Sequence, residues 1–319
     1  MSIALIFPGQ GSQQVGMGRA LADSFAAARA VFEEVDAALG EPLSRTIFEG
    51  PEDALTLTAN AQPALMAVSL AALRVLEAEA GLDVARHAAF VAGHSLGEYS
   101  ALAAAGSLSI ADAAKLLRVR GDAMQKAVPV GQGAMAALLG LDLDAARAVA
   151  LEAAEGDVIA AANDNAPGQV VVSGATAAVQ RAIAIAKAHG AKRAMLLPVS
   201  APFHCALMQP AAEVMREALA GVKILAPRAP LVANVTAGPL TDPEAIRAKL
   251  VEQVTGSVRW RESVVFMAGA GVTRFVEIGA GKVLAGLVKR IAPEATGEAV
   301  GTPDDVMRVS ADSTWVGNG

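Results

Sequence analysis

One cysteine, Cys205, occurs in 319 residues, so an internal disulfide is impossible and the usage fits a reducing compartment. Inside an apolar stretch, Cys205 reads as buried filler, with a nucleophile as the alternative. Histidine is almost as scarce: four residues, at positions 87, 94, 189 and 204, make the search for a general base short. An excess of cations is also missing. The net charge of −6 argues against broad nucleic-acid binding, which works through clustered Lys and Arg on phosphates, so any anionic ligand has to be held locally. No apolar run approaches the length of a bilayer span, and the segment 1–8 lacks a basic stretch and is broken by Pro8. No membrane contact and a cytoplasmic location are expected. What remains is a chain that is 54% hydrophobic, enough for one large or two modest domains with a substantial core.

Residues 3–7 read as a buried strand running into Pro8-Gly9-Gln10-Gly11-Ser12-Gln13. The dinucleotide fingerprint fails there, because Gln14 stands where its third glycine belongs. Gly279-Ala280-Gly281-Lys282 fails as a phosphate loop, since Val283 replaces the required Ser or Thr. Both read as tight turns beside strands. A second strand at 88–91 leads into Gly93-His94-Ser95-Leu96-Gly97 and an alanine-rich helix that fades at Gly106. A serine between glycines at a strand-to-helix junction is the mark of a nucleophile elbow, although the same letters also serve as a plain turn.

The next helix opens at Ser109, with Asp112 as capping partner, and continues towards Lys126. Its apolar stripe, Ala113, Leu116, Leu117, Met124 and Ala127, takes in Arg120 at helical spacing, while Arg118 faces the other way. A buried arginine cannot shed its charge and needs an anion. Two partners are open: a distant Asp or Glu in a structural ion pair, or a substrate carboxylate gripped by two parallel donors.

Between residues 129 and 198 the elements shorten: strand 134–139, helix 143–155, strand 158–162, a turn 163–168, strand 169–173, helix 176–189 and strand 192–197. That β-α-β-β-α-β order is the one of a ferredoxin-like insert. The larger pattern then resumes with helix 209–220, strand 231–235, helix 242–254, strand 274–278 and helix 283–291. The expected architecture is α/β, a hydrolase-like parallel-sheet domain (1–128 and 199–293) interrupted by the small domain 129–198, with a loose tail over 294–319.

Of the four histidines, His94 adjoins the serine, but neighbours at an elbow point in different directions. His87 and His189 sit among polar residues near helix ends and read as solvated. His204 lies in the loop Val199-Ser200-Ala201-Pro202-Phe203-His204-Cys205, where the small unit returns to the large one, a boundary of the kind ligand sites favour. Spacing alone leaves open whether it is catalytic or structural.

Taken in order, Gly9-Gln10-Gly11-Ser12-Gln13, Gly93-His94-Ser95-Leu96-Gly97-Glu98-Tyr99-Ser100, Arg120-Gly121, Asn165-Ala166-Pro167-Gly168-Gln169 and Phe203-His204 resemble the malonyl-CoA:acyl carrier protein transacylases, over residues 3–291. Polyketide-synthase acyltransferase domains share the set. The resemblance implies Ser95 as nucleophile, His204 as general base, an oxyanion hole from the backbone N–H groups of Gln10 and Leu96, and Arg120 as receptor for the malonyl carboxylate. It also implies a backbone carbonyl near 258–260 that orients His204, and Phe203 as the bulk that disfavours a branched methylmalonyl unit. Met124, Asn165 and Arg259 are assigned to substrate binding. Arg259 stands where one common form of the family has glutamine, and an added cation there would depress the pKa of His204.

The implied activity is malonyl transfer from malonyl-CoA to the phosphopantetheine thiol of acyl carrier protein, in fatty-acid synthesis, with no cofactor and no metal and with a monomer as the default state. Lys192, Arg193, Lys289 and Arg290 are candidates for contacting CoA phosphates or the acidic carrier. The competing readings are a serine esterase or thioesterase with Asp157 or Asp164 behind His204, a non-enzymatic carrier-binding module, and a polyketide-type acyltransferase.

Overall fold

The computed structural model describes residues 2–199 and 201–311. Its strands, in chain order, are β1 (Ile3–Phe7), β2 (Ala88–Gly93), β3 (Gly133–Leu139), β4 (Ile159–Ala166), β5 (Gln169–Ala175), β6 (Arg193–Leu196), β7 (Leu231–Val232), β8 (Pro239–Leu240), β9 (Arg274–Ile278) and β10 (Thr296–Val300). All five residues of β1 are buried, as befits a central strand covered on both faces. It pairs in parallel with β2 and β9, and the sheet extends in the order β10-β9-β1-β2-β7-β8, antiparallel only at the β7–β8 edge. The Ser95 elbow leaves the C-terminal end of β2, where open α/β sheets place their ligands.

A second sheet, β4-β5-β3-β6, is antiparallel throughout. The helices Leu143–Ala154 and Thr176–Ala186 pack on it through Val149, Ala153, Val179 and Ala182 against Leu138, Val170 and Val172. This is a β-α-β-β-α-β unit spanning residues 133–196. The expected turn over 163–168 is shorter than that. Asn163, Asp164, Asn165 and Ala166 belong to β4, whose pairing with β5 slips at Ala161/Asn163 and again at Asp164/Ala166. Those irregularities bend the strand without ending it, which is why a polar, turn-like sequence remains in the ladder.

The helix Thr58–Glu79 forms the middle of the large domain, packed by Ala26–Leu39 and Ile110–Ala127. By length and composition it could cross a bilayer, against the expectation from the sequence, but 83% of its apolar window is buried inside the fold.

Residues 294–311 are not a loose tail. β10 adds a parallel edge strand to β9, and the helix Pro303–Ser310 follows, opened by a capping box between Thr302 and Asp305. Val300, Val306 and Val309 join the main core. A five-residue strand containing Gly297 and Glu298 has too little apolar alternation to announce itself; tertiary pairing, together with the Arg274–Glu298 ion pair, supplies what periodicity lacks.

Candidate active site

β2 ends at Gly93 and the helix Gly97–Ala104 begins four residues later, so the chain must reverse within three residues. A Cβ on Gly93 would lie 1.9 Å from the carbonyl oxygen of Gly97, and one on Gly97 would lie 2.3 Å from that of Phe7. Backbone atoms cannot swing aside, so both positions require glycine. Ser95 takes φ +54°, a left-handed conformation that non-glycine residues adopt at a cost and that gathers at functional sites. Its N–H donates to Asn234 Oδ1 at 2.8 Å, and the Asn234 amide nitrogen donates to Gly93 O at 2.7 Å. One buried carboxamide thus ties both ends of the turn.

Ser95 Oγ lies 2.8 Å from His204 Nε2. His204 is itself left-handed, with φ +59°. Its Nδ1 lies 2.9 Å from Gln253 O and 3.1 Å from Gly256 O. Carbonyls only accept, so Nδ1 carries the hydrogen and Nε2 presents its lone pair to the serine. Burial first, and the Arg120 cation second, hold the His204 pKa down at about 3; at neutral pH the ring is an uncharged base.

The orienting carbonyls are not near 258–260 as expected. They come from the C-terminal turn of the helix Pro243–Thr255, whose last carbonyls have no partners within the helix. Val258 O instead accepts from Asp164 N–H, and Arg259 O from Ser263. Arg259 is likewise corrected: its guanidinium binds Glu262 and the carbonyls of Val235 and Thr236, so it is committed elsewhere and the cation acting on His204 is Arg120. Among the described residues, no carboxylate stands behind the histidine either. Asp164 pairs with Arg261 at 2.8 Å and Asp157 with Arg181 at 2.7 Å, which removes the acid an esterase triad needs.

Arg120 is 1% exposed. It donates to Gln62 Oε1 at 2.8 Å, to Gln253 Oε1 at 2.9 Å and to Ser95 Oγ at 3.1 Å, and its guanidinium carbon lies 5.7 Å from the Tyr99 ring centroid. Its acceptors are neutral amides and a hydroxyl, and its Nε meets no acceptor among the described residues. The structural ion pair is therefore absent among those residues, and the arrangement is one that can orient an anion beside the serine. Gln253 also donates from Nε2 to Ser95 O at 2.9 Å and to Glu98 Oε2 at 2.8 Å. Glu98 is 1% exposed, and burial raises its pKa to about 7.

The turn carrying Gln10 is pressed onto the elbow, since His94 N–H donates to Phe7 O at 3.0 Å. The backbone N–H groups of Gln10 and Leu96 have no protein acceptor among the described residues, as donors meant for an oxyanion must not. Met124 is buried one turn beyond Arg120, with its sulfur 3.7 Å from Gln62 Nε2, and Phe203 is packed into the core beside His204. Asn165 is engaged instead by His94: its Oδ1 lies 2.8 Å from His94 Nε2, which also confirms that His94 points away from the serine. Cys205 is buried, donating to Pro202 O at 3.2 Å, with its thiol pKa pushed up by burial.

Gln253, Gln62 and Asn234 were absent from the sequence reading. The first two could have been found, because each is a polar residue among the apolar buried positions of its helix, the test that exposed Arg120. Asn234 follows the two-residue strand β7 and carries no periodic signal.

Comparison with known proteins gives the family. The family described as acyl transferase domain matches residues 4–302. The malonyl CoA-acyl carrier protein transacylase of Escherichia coli (strain K12) is 49% identical over 301 residues, covering 94% of this chain and 96% of its own. The crystal structure of the acyl-carrier-protein S-malonyltransferase from Bartonella henselae superposes with a TM-score of 0.94 at 56% identity, covering 98% of this chain and 100% of that one. A malonyl-transacylase solved in complex with its type II PKS acyl-carrier protein gives 0.93 at 42% identity, covering 97% and 99%. A strained serine at a glycine-locked elbow, a neutral histidine and a buried arginine that makes no direct ion pair among the described residues thus stand in a chain that belongs to the malonyl CoA-acyl carrier protein transacylase family.

Proposed function

We propose that this enzyme transfers the malonyl group of malonyl-CoA to the phosphopantetheine thiol of acyl carrier protein, through a malonyl ester on Ser95. The observation that carries this reading is Arg120, buried, 3.1 Å from Ser95 Oγ and supplied only with neutral acceptors among the described residues. A guanidinium in that place matches an acyl group that ends in a carboxylate, and a general esterase has no use for it.

In the first half-reaction His204 Nε2 takes the Ser95 proton as Oγ attacks the thioester carbonyl. The N–H groups of Gln10 and Leu96 stabilise the resulting oxyanion, and collapse expels CoA as His204 returns the proton to sulfur. The carrier thiol then enters, and the same steps run in reverse. A thiol leaves far more readily than an amine, so a histidine oriented by carbonyls suffices without an acid behind it.

Lys192, Arg193, Lys289 and Arg290 are all exposed. Lys192 lies against Gly140, which is hydrogen-bonded to Gly168, and Arg290 binds Pro167 O. Lys192 and Arg290 thus lie beside the β4–β5 turn. This is the surface proposed for CoA phosphates or an acidic carrier, and a type II PKS carrier is the partner of one solved relative.

The test is intact mass after mixing with malonyl-CoA, followed by acyl carrier protein. One malonyl adduct that passes to the carrier is expected. Ser95→Ala should form no adduct while keeping its fold; free malonate appearing without transfer would return the hydrolase reading.

A further inference from the structure

Glu98 is a buried carboxyl that no step of the transfer uses. Its Oε2 accepts from Asn234 N–H at 3.1 Å and from Gln253 Nε2 at 2.8 Å, and its Oε1 meets no partner among the described residues. Gln253 is the bridge to the acyl site. On one side its nitrogen faces Glu98, the Ser95 carbonyl and, at 3.2 Å, Asn234 Oδ1; on the other its oxygen faces Arg120. Acceptors against the nitrogen and a cation against the oxygen leave one orientation for that amide. Glu98 is thereby joined to Arg120 through a single side chain.

The groups around Glu98 are few. Arg120, from the helix Ile110–Ala127, is the charged one, and Tyr99 lies on the same helix as Glu98. Gln253 from Pro243–Thr255, Gln62 from Thr58–Glu79 and Asn234 after β7 are uncharged, and β1, β2 and β7 bring no titratable side chain. His204 and His94, on the far side of Ser95, are both kept neutral by burial.

A dry site with one permanent cation accommodates one anion far more readily than two. Before acylation the Glu98 carboxylate is the anion that serves Arg120 at a distance. A malonyl ester brings a second carboxylate into direct contact. We propose that Glu98 is a positioning residue for malonyl recognition, whose ionised fraction takes up a proton from solvent as the malonyl carboxylate engages Arg120, so that the cation is not left facing two anions. The step is acid–base only: the carboxylate gains a proton and no other bond changes. It rests on the reading of Arg120 as the malonyl receptor. Burial raises the pKa of Glu98 to about 7 and Arg120 lowers it; a carboxylate that neutralises Arg120 removes the lowering influence and favours the protonated form.

The experiment is rapid mixing with malonyl-CoA at pH 7 in weak buffer with a pH indicator, with the adduct counted by mass in parallel. Roughly half a proton should be taken up per malonyl-enzyme, because a group titrating near 7 is about half ionised there. Acetyl-CoA, which brings no carboxylate, should give none, and this comparison also cancels ionisation of the released thiol. Glu98→Gln, similar in shape and uncharged, should give none with malonyl-CoA. Absence of any malonyl adduct would defeat the transfer reading itself. An adduct without uptake, or equal uptake with acetyl-CoA or in E98Q, overturns the role of Glu98. If E98Q does not fold, the malonyl-against-acetyl comparison on the native enzyme decides alone.

Discussion

The guanidinium of Arg120 donates to the hydroxyl of Ser95 at 3.1 Å, which leaves cation and nucleophile one hydrogen bond apart. In a malonyl ester the carboxylate stands one methylene beyond the carbonyl that Oγ has attacked. A cation at this distance therefore reads the far end of a short acyl chain and ignores acyl groups that end in a methyl.

Arg120→Ala should consequently lower kcat/KM for malonyl-CoA by on the order of 10²- to 10³-fold, the effect of leaving a buried carboxylate unpaired. Activity on acetyl-CoA should fall much less, so the malonyl-to-acetyl ratio is the quantity to measure. Arg120→Lys keeps a charge but not the parallel donors, and should recover part of the ratio. An unchanged ratio in a folded R120A protein would make Arg120 a packing residue.

The pH profile tests the histidine. Protonation removes the Nε2 lone pair, so the acid limb of the acylation rate lies at the pKa of His204 in the folded enzyme. Burial and Arg120 put that at about 3, against about 6.5 for a free imidazole. Acylation by acetyl-CoA, which leaves Glu98 unperturbed, should therefore stay flat from pH 8 down to about 5. Stopped-flow measurement showing a limb near 6.5 would place His204 in an ordinary solvated environment.

How much of this was legible in the chain depends on whether a residue's role is local. Gly93, Ser95 and Gly97 act within five positions, and Arg120 betrayed itself by standing in the stripe of Leu116, Leu117 and Met124. The carbonyls that orient His204 were misplaced because a main-chain oxygen has no letter in the sequence: whether it is free is decided by where the helix Pro243–Thr255 stops. Arg259 failed for a related reason, since Glu262, in the first turn of the helix that Arg259 precedes, captures it. β10 was missed because an edge strand needs a neighbour more than it needs a pattern.

That strand and the helix after it can be weighed. Truncation after Ala292 removes Val300, Val306 and Val309, each at most 1% exposed, and leaves β9 as an unpaired edge. At roughly 1.5 to 3 kcal/mol per buried side chain, the loss is on the order of 5 kcal/mol. Urea denaturation should show a midpoint lowered accordingly, with the full-length slope no longer reached. A midpoint unchanged by the truncation would return these residues to the status of a tail.

Stability against pH offers an independent view of the elbow carboxyl. Between about pH 3 and 6.5 the unfolded chain holds a proton on His204 that the folded chain does not, so this group makes stability rise with pH. For Glu98 the folded pKa of about 7 lies above the ordinary glutamate value of 4.5. Between those values the folded chain keeps a proton that the unfolded chain has lost, so this group makes stability fall as pH rises. Each slope is at most about 1.4 kcal/mol per pH unit, and they oppose one another from about 4.5 to 6.5. Glu98→Gln deletes the falling one. Denaturation of wild type and E98Q at pH 4.5, 5.5 and 7 should show the variant gaining on the wild type with each step, by about 3 kcal/mol at most over the range. Other groups cancel in that difference, so a gap that does not change with pH would mean that Glu98 titrates in the fold as it does in water.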